Sequence, residues 1–341
     1  MILLFGDAIM RKPLQIFVHR PSVHCESSAL RDIFEFYGFK FSEAMIFGLG
    51  SGLGFIYWHG KNIYIHLWGR SRDLCKNLCD NLGVTVRVNK TASKKKAYEA
   101  VKGLIGKNVL VMVHVDMPYL KYLGLPQEAH FGAHTVVIAG IDDSKRVAYI
   151  ADTGFKKLQT AILKELEDAR GSKFKPFPPQ NKLFVFQFPS NLTSLNNAIK
   201  KGMMKTVETM LHPPIKNLGA RGIRYFASEI LKWPQLCPSE SPRFKPFYEV
   251  TYVMLEEDGT GGGCFRYLYS KFLKESGEHL DKKELANLGE RYWRVGEKWT
   301  RVARLVRGIP SNSANCAEAK EILLEIAEQE EEILSSVETV F

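Results

Sequence analysis

The chain has 341 residues, which is longer than one typical domain, so we expect two domains with a hydrophobic core each. Hydrophobic residues make up 45% and charged residues 25% of the sequence, which is typical of ordinary globular proteins and excludes a disordered chain. The formal net charge of +10 would suit an anionic partner, but the lysines are dispersed and no nucleic-acid-binding motif is present.

The first ten residues contain no basic leader, and no apolar stretch approaches the ~20 residues that cross a bilayer. We therefore expect a cytoplasmic protein with neither a membrane nor a nucleic-acid partner. Six cysteines scattered over a chain of this length do not form a disulfide framework, so we expect free thiols. No motif calls for a cofactor, and no feature indicates the oligomeric state.

The segment 22–38 places a cysteine in the first turn of a predicted helix. Apolar residues recur at helical spacing behind Cys25, Ser22 or His24 can cap the helix, and Gly38 can end it. Unpaired N–H groups and the positive end of the helix dipole favour a thiolate, which is the nucleophilic form of cysteine. Cys25 is therefore a candidate nucleophile, with a buried structural cysteine as the alternative.

Glycines alternate at positions 48, 50, 52 and 54, directly after this helix. Their spacing does not fit the G-x-G-x-x-G dinucleotide motif. Alternating glycines permit close backbone approach, either to another segment of the chain or to a substrate. Both interpretations stay open, and Gly50, Ser51 and Gly52 are candidate substrate-binding residues.

The next elements alternate between strands and helices. The pattern predicts, in chain order, a hairpin of 55–58 with 62–68, a helix over 73–82, a strand over 84–88, a helix over 93–105 and a central apolar strand over 109–116.

Two β-rich runs, 134–141 and 145–152, flank a short polar turn and predict a hairpin. If the turn is centred near Asp143, the register places His134 opposite Asp152, with Cβ atoms ~5 Å apart. A carboxylate in that position can fix the tautomer of an imidazole. His134 and Asp152 are thus candidate partners of Cys25 in a triad, with a satisfied structural histidine as the alternative.

A helix over 157–170 and a strand over 183–188 complete the predicted first domain, whose boundary we place near Ser190. The domains are therefore 1–190, catalytic, and 191–341, mostly helical, which we expect to cap or shape the substrate cleft. Helices are predicted over 192–211, 220–231, 262–275, 283–306 and 317–337, with a proline-rich break over 233–246.

A glycine run precedes the third of these helices. Gly262 and Gly263 leave bare N–H groups, and Arg266 lies one turn inside the helix. The three residues could hold an anionic group of an acyl donor, or the glycines could serve close packing at a helix start.

A zinc site is a further alternative, because Cys75 and Cys79 lie one helical turn apart and His130 and His134 have H-x-x-x-H spacing. We expect no metal, since the two cysteines fit a buried helix face and His134 fits the triad better.

Four segments of the sequence resemble those of a known protein family. The stretches HCESSALRDIFEFYG, FSEAMIFGLGSGLGFIYW, GAHTVVIAGID and YIADTG closely resemble the N-terminal domain of the acyltransferase family named after butirosin biosynthesis protein H. The resemblance covers roughly half of the chain, and a second domain accompanies the first in that family.

The resemblance implies an α+β protein whose first domain has a papain-like cysteine peptidase fold, similar to the leader-peptide peptidases of bacteriocin exporters. It implies Cys25 as nucleophile, His134 as general base and acid, and Asp152 as the orienting residue. In the butirosin case a γ-glutamylated amino acid passes from an acyl carrier protein to an aminoglycoside amine. The expected partners are thus a small-molecule amine acceptor and an acyl carrier protein or other thioester donor.

One position departs from the papain-like pattern, which usually has a glutamine about six residues before the cysteine as an oxyanion donor. His19 stands there, and Gln15 lies further back. The oxyanion donor therefore stays open between the Cys25 backbone N–H, Gln15 and His19.

The sequence thus predicts a cysteine-dependent acyltransferase that forms a thioester acyl-enzyme on Cys25. The alternatives are a cysteine peptidase or amidase of the same fold and a papain-like binding protein without catalysis.

Overall fold

The computed structural model describes residues 17–59, 65–238 and 245–341. Helices and strands are mixed along these ranges, so the predicted α+β class is confirmed. The helices are α1 (Cys25–Phe36), α2 (Glu43–Leu49), α3 (Leu74–Leu82), α4 (Lys94–Ile105), α5 (Leu163–Gly171), α6 (Leu195–Leu211), α7 (Gly219–Glu229), α8 (Trp233–Leu236), α9 (Lys245–Glu256), α10 (Arg266–Leu280), α11 (Lys283–Gly308) and α12 (Asn315–Val340). The strands are β1 (Leu53–His59), β2 (Ile65–Arg70), β3 (Thr85–Asn89), β4 (Val111–Val115), β5 (His134–Asp142), β6 (Val147–Ala151), β7 (Gln159–Ile162) and β8 (Leu183–Gln187).

The described chain divides into two compact units. The first contains residues 17–42 and 84–191, and the second contains 43–83 and 192–341. The sequence pattern predicted one domain over all of 1–190, whereas in the structure α2, α3 and the strands β1 and β2 pack with the C-terminal helices. Close backbone approach allows this, because a Cβ atom at Gly202 would lie 2.6 Å from the carbonyl oxygen of Gly48.

The first unit is built on a six-stranded antiparallel sheet with the strand order β3-β8-β4-β5-β6-β7. Strand β4 lies in its interior, where its apolar run predicted it. Helices α4 and α5 contribute to the core beside the sheet, and α1 packs against β5. The core residues of β5 and β6 are the buried Val136, Ile138, Ile141, Ala148 and Ile150.

Helix α1 begins and ends as its sequence predicts. His24 is the N-cap, and its Nδ1 accepts from the Ser27 N–H at 3.4 Å. Gly38 has φ of +91°, a left-handed conformation that favours glycine directly after a helix. Cys25 is thus fixed as the first residue of the helix.

The second unit is a helical bundle with the two-stranded β1–β2 sheet on it. Helix α11 packs against α9, α10 and α12, while α7 packs against α12 and β1. Large fully buried aromatic side chains fill its centre, including those of Tyr269, Phe272, Tyr292 and Trp299. No helix in the described ranges is long and apolar enough to cross a membrane.

Several elements differ from the sequence prediction. Residues 159–162 form β7 and not the start of a helix, because they pair with β6 at the edge of the sheet. Helix α2 was not predicted, since its seven residues gain stability from packing on α6 and α10 and not from local periodicity. Helix α8 lies inside the predicted proline-rich break and α9 begins there, because proline is compatible with the first turn of a helix.

Candidate active site

The structure places Cys25 at the N-terminus of α1 with its side chain partly exposed. The other five cysteines are all buried. Burial raises the pKa of the Cys237 thiol to about 11 and that of Cys264 to about 12. Cys25 is therefore the cysteine that a reagent or substrate can reach.

His134 and Asp152 form a buried pair, with His134 Nε2 2.8 Å from Asp152 Oδ1. The Cys25 thiol lies near enough to the same imidazole to contribute to the raised pKa of His134. An ionised carboxylate only accepts hydrogen bonds, so Nε2 carries a proton and Nδ1 is the ring nitrogen left for the sulfur. The structure thus brings the three side chains together within the first unit.

The predicted hairpin register is wrong, although the two side chains meet. Near the turn Ile141 pairs with Ala148, and past a bulge at Ala139 Val137 pairs with Ala151. The turn-proximal register alone would direct the side chains of His134 and Asp152 to opposite faces. The extra residue at the bulge shifts the register by one and returns both to one face.

Asp152 is held by two further donors. Its Oδ1 accepts from the Thr153 backbone N–H at 2.7 Å, and its Oδ2 accepts from the Tyr122 hydroxyl at 2.9 Å. Tyr122 was not among the predicted site residues, and it lies in a 3₁₀ turn (Lys121–Leu123) of the long loop before β5. Nothing in its local sequence signals the contact, because the loop reaches Asp152 only in the folded unit.

His134 and Asp152 each stabilise the charged form of the other. Burial by itself would lower the pKa of His134, but the charge and hydrogen bond of Asp152 raise it, with a smaller contribution from Cys25. Burial by itself would raise the pKa of Asp152, but His134, Tyr122 and the Thr153 N–H lower it. The site therefore favours a carboxylate beside an imidazolium, and an imidazolium stabilises a neighbouring thiolate.

His19, a predicted candidate for the oxyanion donor, has both ring nitrogens engaged elsewhere. Its Nδ1 lies 2.6 Å from Asp32 Oδ2, and its Nε2 lies 3.1 and 2.9 Å from the carbonyl oxygens of Asp152 and Phe155. Neither N–H group is available to a substrate, so this candidate is wrong. The second candidate, Gln15, lies outside the described residues. The Cys25 backbone N–H, at the first position of α1, has no acceptor within the helix.

Gly50, Ser51 and Gly52 are buried in the second unit, which contradicts their candidacy as substrate-binding residues. A Cβ atom at Gly50 would lie 2.8 Å from the Leu74 carbonyl oxygen, and one at Gly52 would lie 2.6 Å from the Phe47 ring. The alternative interpretation, close backbone approach to another segment of the chain, accounts for these glycines.

Gly262, Gly263 and Arg266 do not form an anion site either. The Gly262 N–H donates to Thr260 Oγ1 and the Gly263 N–H donates to Glu256 Oε2, both at 3.0 Å. The fully buried Arg266 guanidinium is used within the protein. It pairs with Glu330 at 2.7 and 3.1 Å and donates to the carbonyl oxygens of Gly54, Gly69 and Cys264.

Within the part of the chain that the structure describes, no group of three or more His, Cys, Asp or Glu side chains is arranged to hold a metal ion. Cys75 and Cys79 lie buried on α3, as expected if they belong to the buried face of a helix.

Comparison with known families gives two matches. A family model described as "Butirosin biosynthesis protein H, N-terminal" matches residues 24–153, which include Cys25, His134 and Asp152. A second, described as "Domain of unknown function (DUF4872)", matches residues 164–337, just over half of the chain. None of the curated proteins matches the chain. The chain therefore belongs, through its second half, to the family of the DUF4872 domain, and its residues 24–153 match the N-terminal domain of butirosin biosynthesis protein H.

Proposed function

We propose that this protein is a cysteine-dependent acyltransferase that carries the acyl group as a thioester on Cys25. The observation that carries the proposal is the hydrogen-bonded pair of His134 and Asp152 beside Cys25 at the N-terminus of α1. A cysteine at the start of a helix packed on an antiparallel sheet that bears the histidine is also what a papain-like fold requires. The name of the N-terminal family, taken from a biosynthesis protein, favours transfer over degradation.

In the first half-reaction the Cys25 thiolate attacks the carbonyl carbon of an acyl thioester. The C–S bond to the donor breaks, the donor thiolate takes the proton from the His134 imidazolium, and a new thioester remains on Cys25. His134 is then neutral, with its Nε2–H still donated to Asp152.

In the second half-reaction an amine attacks the Cys25 thioester, and His134 takes the proton that the amine loses. The bond between the carbonyl carbon and the Cys25 sulfur breaks, an amide leaves, and the thiolate–imidazolium pair is restored. Asp152 keeps the ring oriented throughout, because its carboxylate accepts from Nε2 in both protonation states.

Each half-reaction passes through a tetrahedral oxyanion, for which we assign the Cys25 backbone N–H as one donor. That N–H belongs to the first turn of α1, where the helix dipole also stabilises negative charge.

The partners of this reaction are a thioester donor, with an acyl carrier protein as one candidate, and a small-molecule amine acceptor. Incubation with a small activated acyl thioester, followed by intact mass measurement, tests the first half-reaction. We expect one acyl group per chain, located on the Cys25 peptide. Addition of a primary amine should then release the acyl group as an amide.

Cys25→Ala should abolish the adduct, whereas the buried Cys316→Ala should leave it unchanged. An acyl-enzyme that loses its acyl group to water at the same rate with and without amines would show a hydrolase. A chain that forms no adduct on Cys25 with any thioester would refute covalent catalysis.

A further inference from the structure

His19 connects two segments that both lead to the active site. It belongs to the segment 19–24 that precedes Cys25, which we call the entry segment. Its Nε2 lies within hydrogen-bonding distance of two carbonyl oxygens of the loop 152–155, namely those of Asp152 and Phe155. The Ser22 N–H adds a third connection, because it donates to the Thr153 carbonyl oxygen at 2.9 Å. The entry segment therefore holds the loop backbone at Asp152 and at the residues that directly follow it.

The second ring nitrogen of His19, Nδ1, is held by a residue of α1. Its Nδ1 lies 2.6 Å from Asp32 Oδ2, and the exposed fractions of the two side chains are 4% and 1%. Asp32 Oδ1 accepts from Arg31 Nη2 at 2.7 Å, so this carboxylate also pairs with a permanently charged guanidinium. Arg31 also donates to Ser22 Oγ and to the Arg20 carbonyl oxygen, which ties the entry segment to the helix.

The hydrogen-bond pattern defines the charge of His19. Carbonyl oxygens and an ionised carboxylate only accept, so both ring nitrogens must donate and the ring is an imidazolium. Burial opposes this charge, but Asp32 and the two carbonyl groups raise the pKa of His19 above its ordinary value.

We infer that His19 is a positioning residue of the acyl-transfer site, where it links Asp32 on the nucleophile's helix to the backbone that carries Asp152. The inference rests on the proposed function, since it assigns to His19 the task of holding Asp152 against His134. It also explains why the position six residues before Cys25 does not supply an oxyanion donor.

A nearby ion pair provides a matched control. Arg20 pairs with Glu35, so it also fastens the entry segment to α1, but its side chain is half exposed. Among the described residues, the Arg20 side chain makes no hydrogen bond or ion pair with the loop 152–155. Arg20→Met thus removes a connection of the same entry segment without touching Asp152.

The experiment measures alkylation of Cys25 by iodoacetamide between pH 5 and 9, with the Cys25 peptide quantified by mass spectrometry. The variants are His19→Phe, Asp152→Ala, the double variant and Arg20→Met. A misplaced Asp152 stabilises the imidazolium of His134 less well, and a cysteine without a neighbouring imidazolium reacts slowly near pH 6, because an ordinary thiol is protonated there. We expect His19→Phe to slow alkylation there roughly tenfold, less than the ~100-fold that a 1 Å misplacement can cost. Near pH 9 the rate should approach that of the wild type.

The double variant separates positioning from a general effect on folding. If His19 acts through Asp152, His19→Phe should slow alkylation by less than about twofold in the Asp152→Ala background, since coupled residues are not additive. Arg20→Met should react at the wild-type rate. His19→Gln, which keeps an N–H donor for the carbonyl oxygens but loses the charge, should lie between His19→Phe and the wild type, and it replaces His19→Phe if that variant does not fold.

Equal slowing by His19→Phe in both backgrounds would overturn the inference, as would a wild-type pH profile in a His19→Phe protein that is only less stable to heat. In those cases Asp152→Ala still slows alkylation near pH 6, and the proposed function stands. If Asp152→Ala itself leaves the pH profile unchanged, the proposed function fails and the inference with it.

Discussion

His134 Nε2 lies 2.8 Å from Asp152 Oδ1, although the two residues are not cross-strand partners. Continuing the pairing of Val137 with Ala151 would place Asp152 opposite Val136, two residues from His134. Residues two apart on a strand point to the same face, so the contact is diagonal. Both side chains continue the rows of β5 and β6 that form the core, and they extend those rows to its edge.

Removing the charge of Asp152 should change the pH dependence of acyl-enzyme formation. In Asp152→Asn the amide oxygen still accepts from Nε2, but the pKa of His134 loses the charge that raises it. The imidazolium is then lost at lower pH, so the alkaline limb of the rate profile should move to lower pH. Asp152→Ala also loses the acceptor, and its maximal rate should fall by about 10²- to 10⁴-fold.

The rate of acyl-enzyme formation from pH 5 to 10 checks this prediction. An alkaline limb at the same pH in the wild type and Asp152→Asn would show that the carboxylate does not control the protonation of His134.

Tyr122→Phe should lower the activity at the acidic end of the pH range. The hydroxyl donates to Asp152 Oδ2 and contributes to the lowered pKa of this carboxylate. Without it the pKa of Asp152 rises, so activity should fall first at the acidic end of the pH range. The lost hydrogen bond should also lower the free energy of unfolding by about 1 kcal/mol.

Activity profiles and urea denaturation test this variant. Tyr119→Phe, in the preceding 3₁₀ turn (Met117–Tyr119) with its ring beside His130, is the matched control and should keep the acidic limb in place.

Breaking the buried ion pair of the second unit should strongly destabilise that unit. Arg266→Met leaves Glu330 as an unpaired charge with no exposure, which should cost about 3–5 kcal/mol of unfolding free energy. The exposed pair of Arg224 with Glu331 is the comparison, and Arg224→Met should cost about 0–1 kcal/mol.

Chemical denaturation measures both variants. Combining Arg266→Met with Glu330→Leu should recover part of the loss, because no unpaired charge is then buried. Equal losses for the buried and the exposed pair would contradict the structural role of Arg266.

Gly50→Ala should destabilise the protein by about 1–3 kcal/mol, since the added methyl group meets the Leu74 backbone. Gly103→Ala, on α4 where nothing lies within 4 Å of the new methyl group, should instead stabilise it by about 0.5–1 kcal/mol.

Thermal unfolding gives the sign of each effect. If Gly50 serves packing, folded Gly50→Ala protein should also alkylate Cys25 at the wild-type rate. A stable Gly50→Ala protein with impaired acyl transfer would restore this glycine as a substrate-binding residue.

The sequence by itself determined the features that depend on neighbours along the chain. Capping residues and apolar periodicity placed Cys25 at the start of α1, and the β-rich runs around residue 143 identified the strands β5 and β6. The residues of the candidate triad could be named at this level, because each lies at the end of an element whose local pattern is clear.

Only the tertiary structure decided the contacts between distant segments. The strand pairing was predicted by counting outwards from an assumed turn. Such a count contains no information about the bulge at Ala139. Tyr122 and His19 gain their roles from loops that meet Asp152 in the folded unit, and burial decided that Arg266 and Gly50 serve packing. Local patterns record which face a residue occupies on its own element, whereas the partner on that face depends on how the whole chain packs.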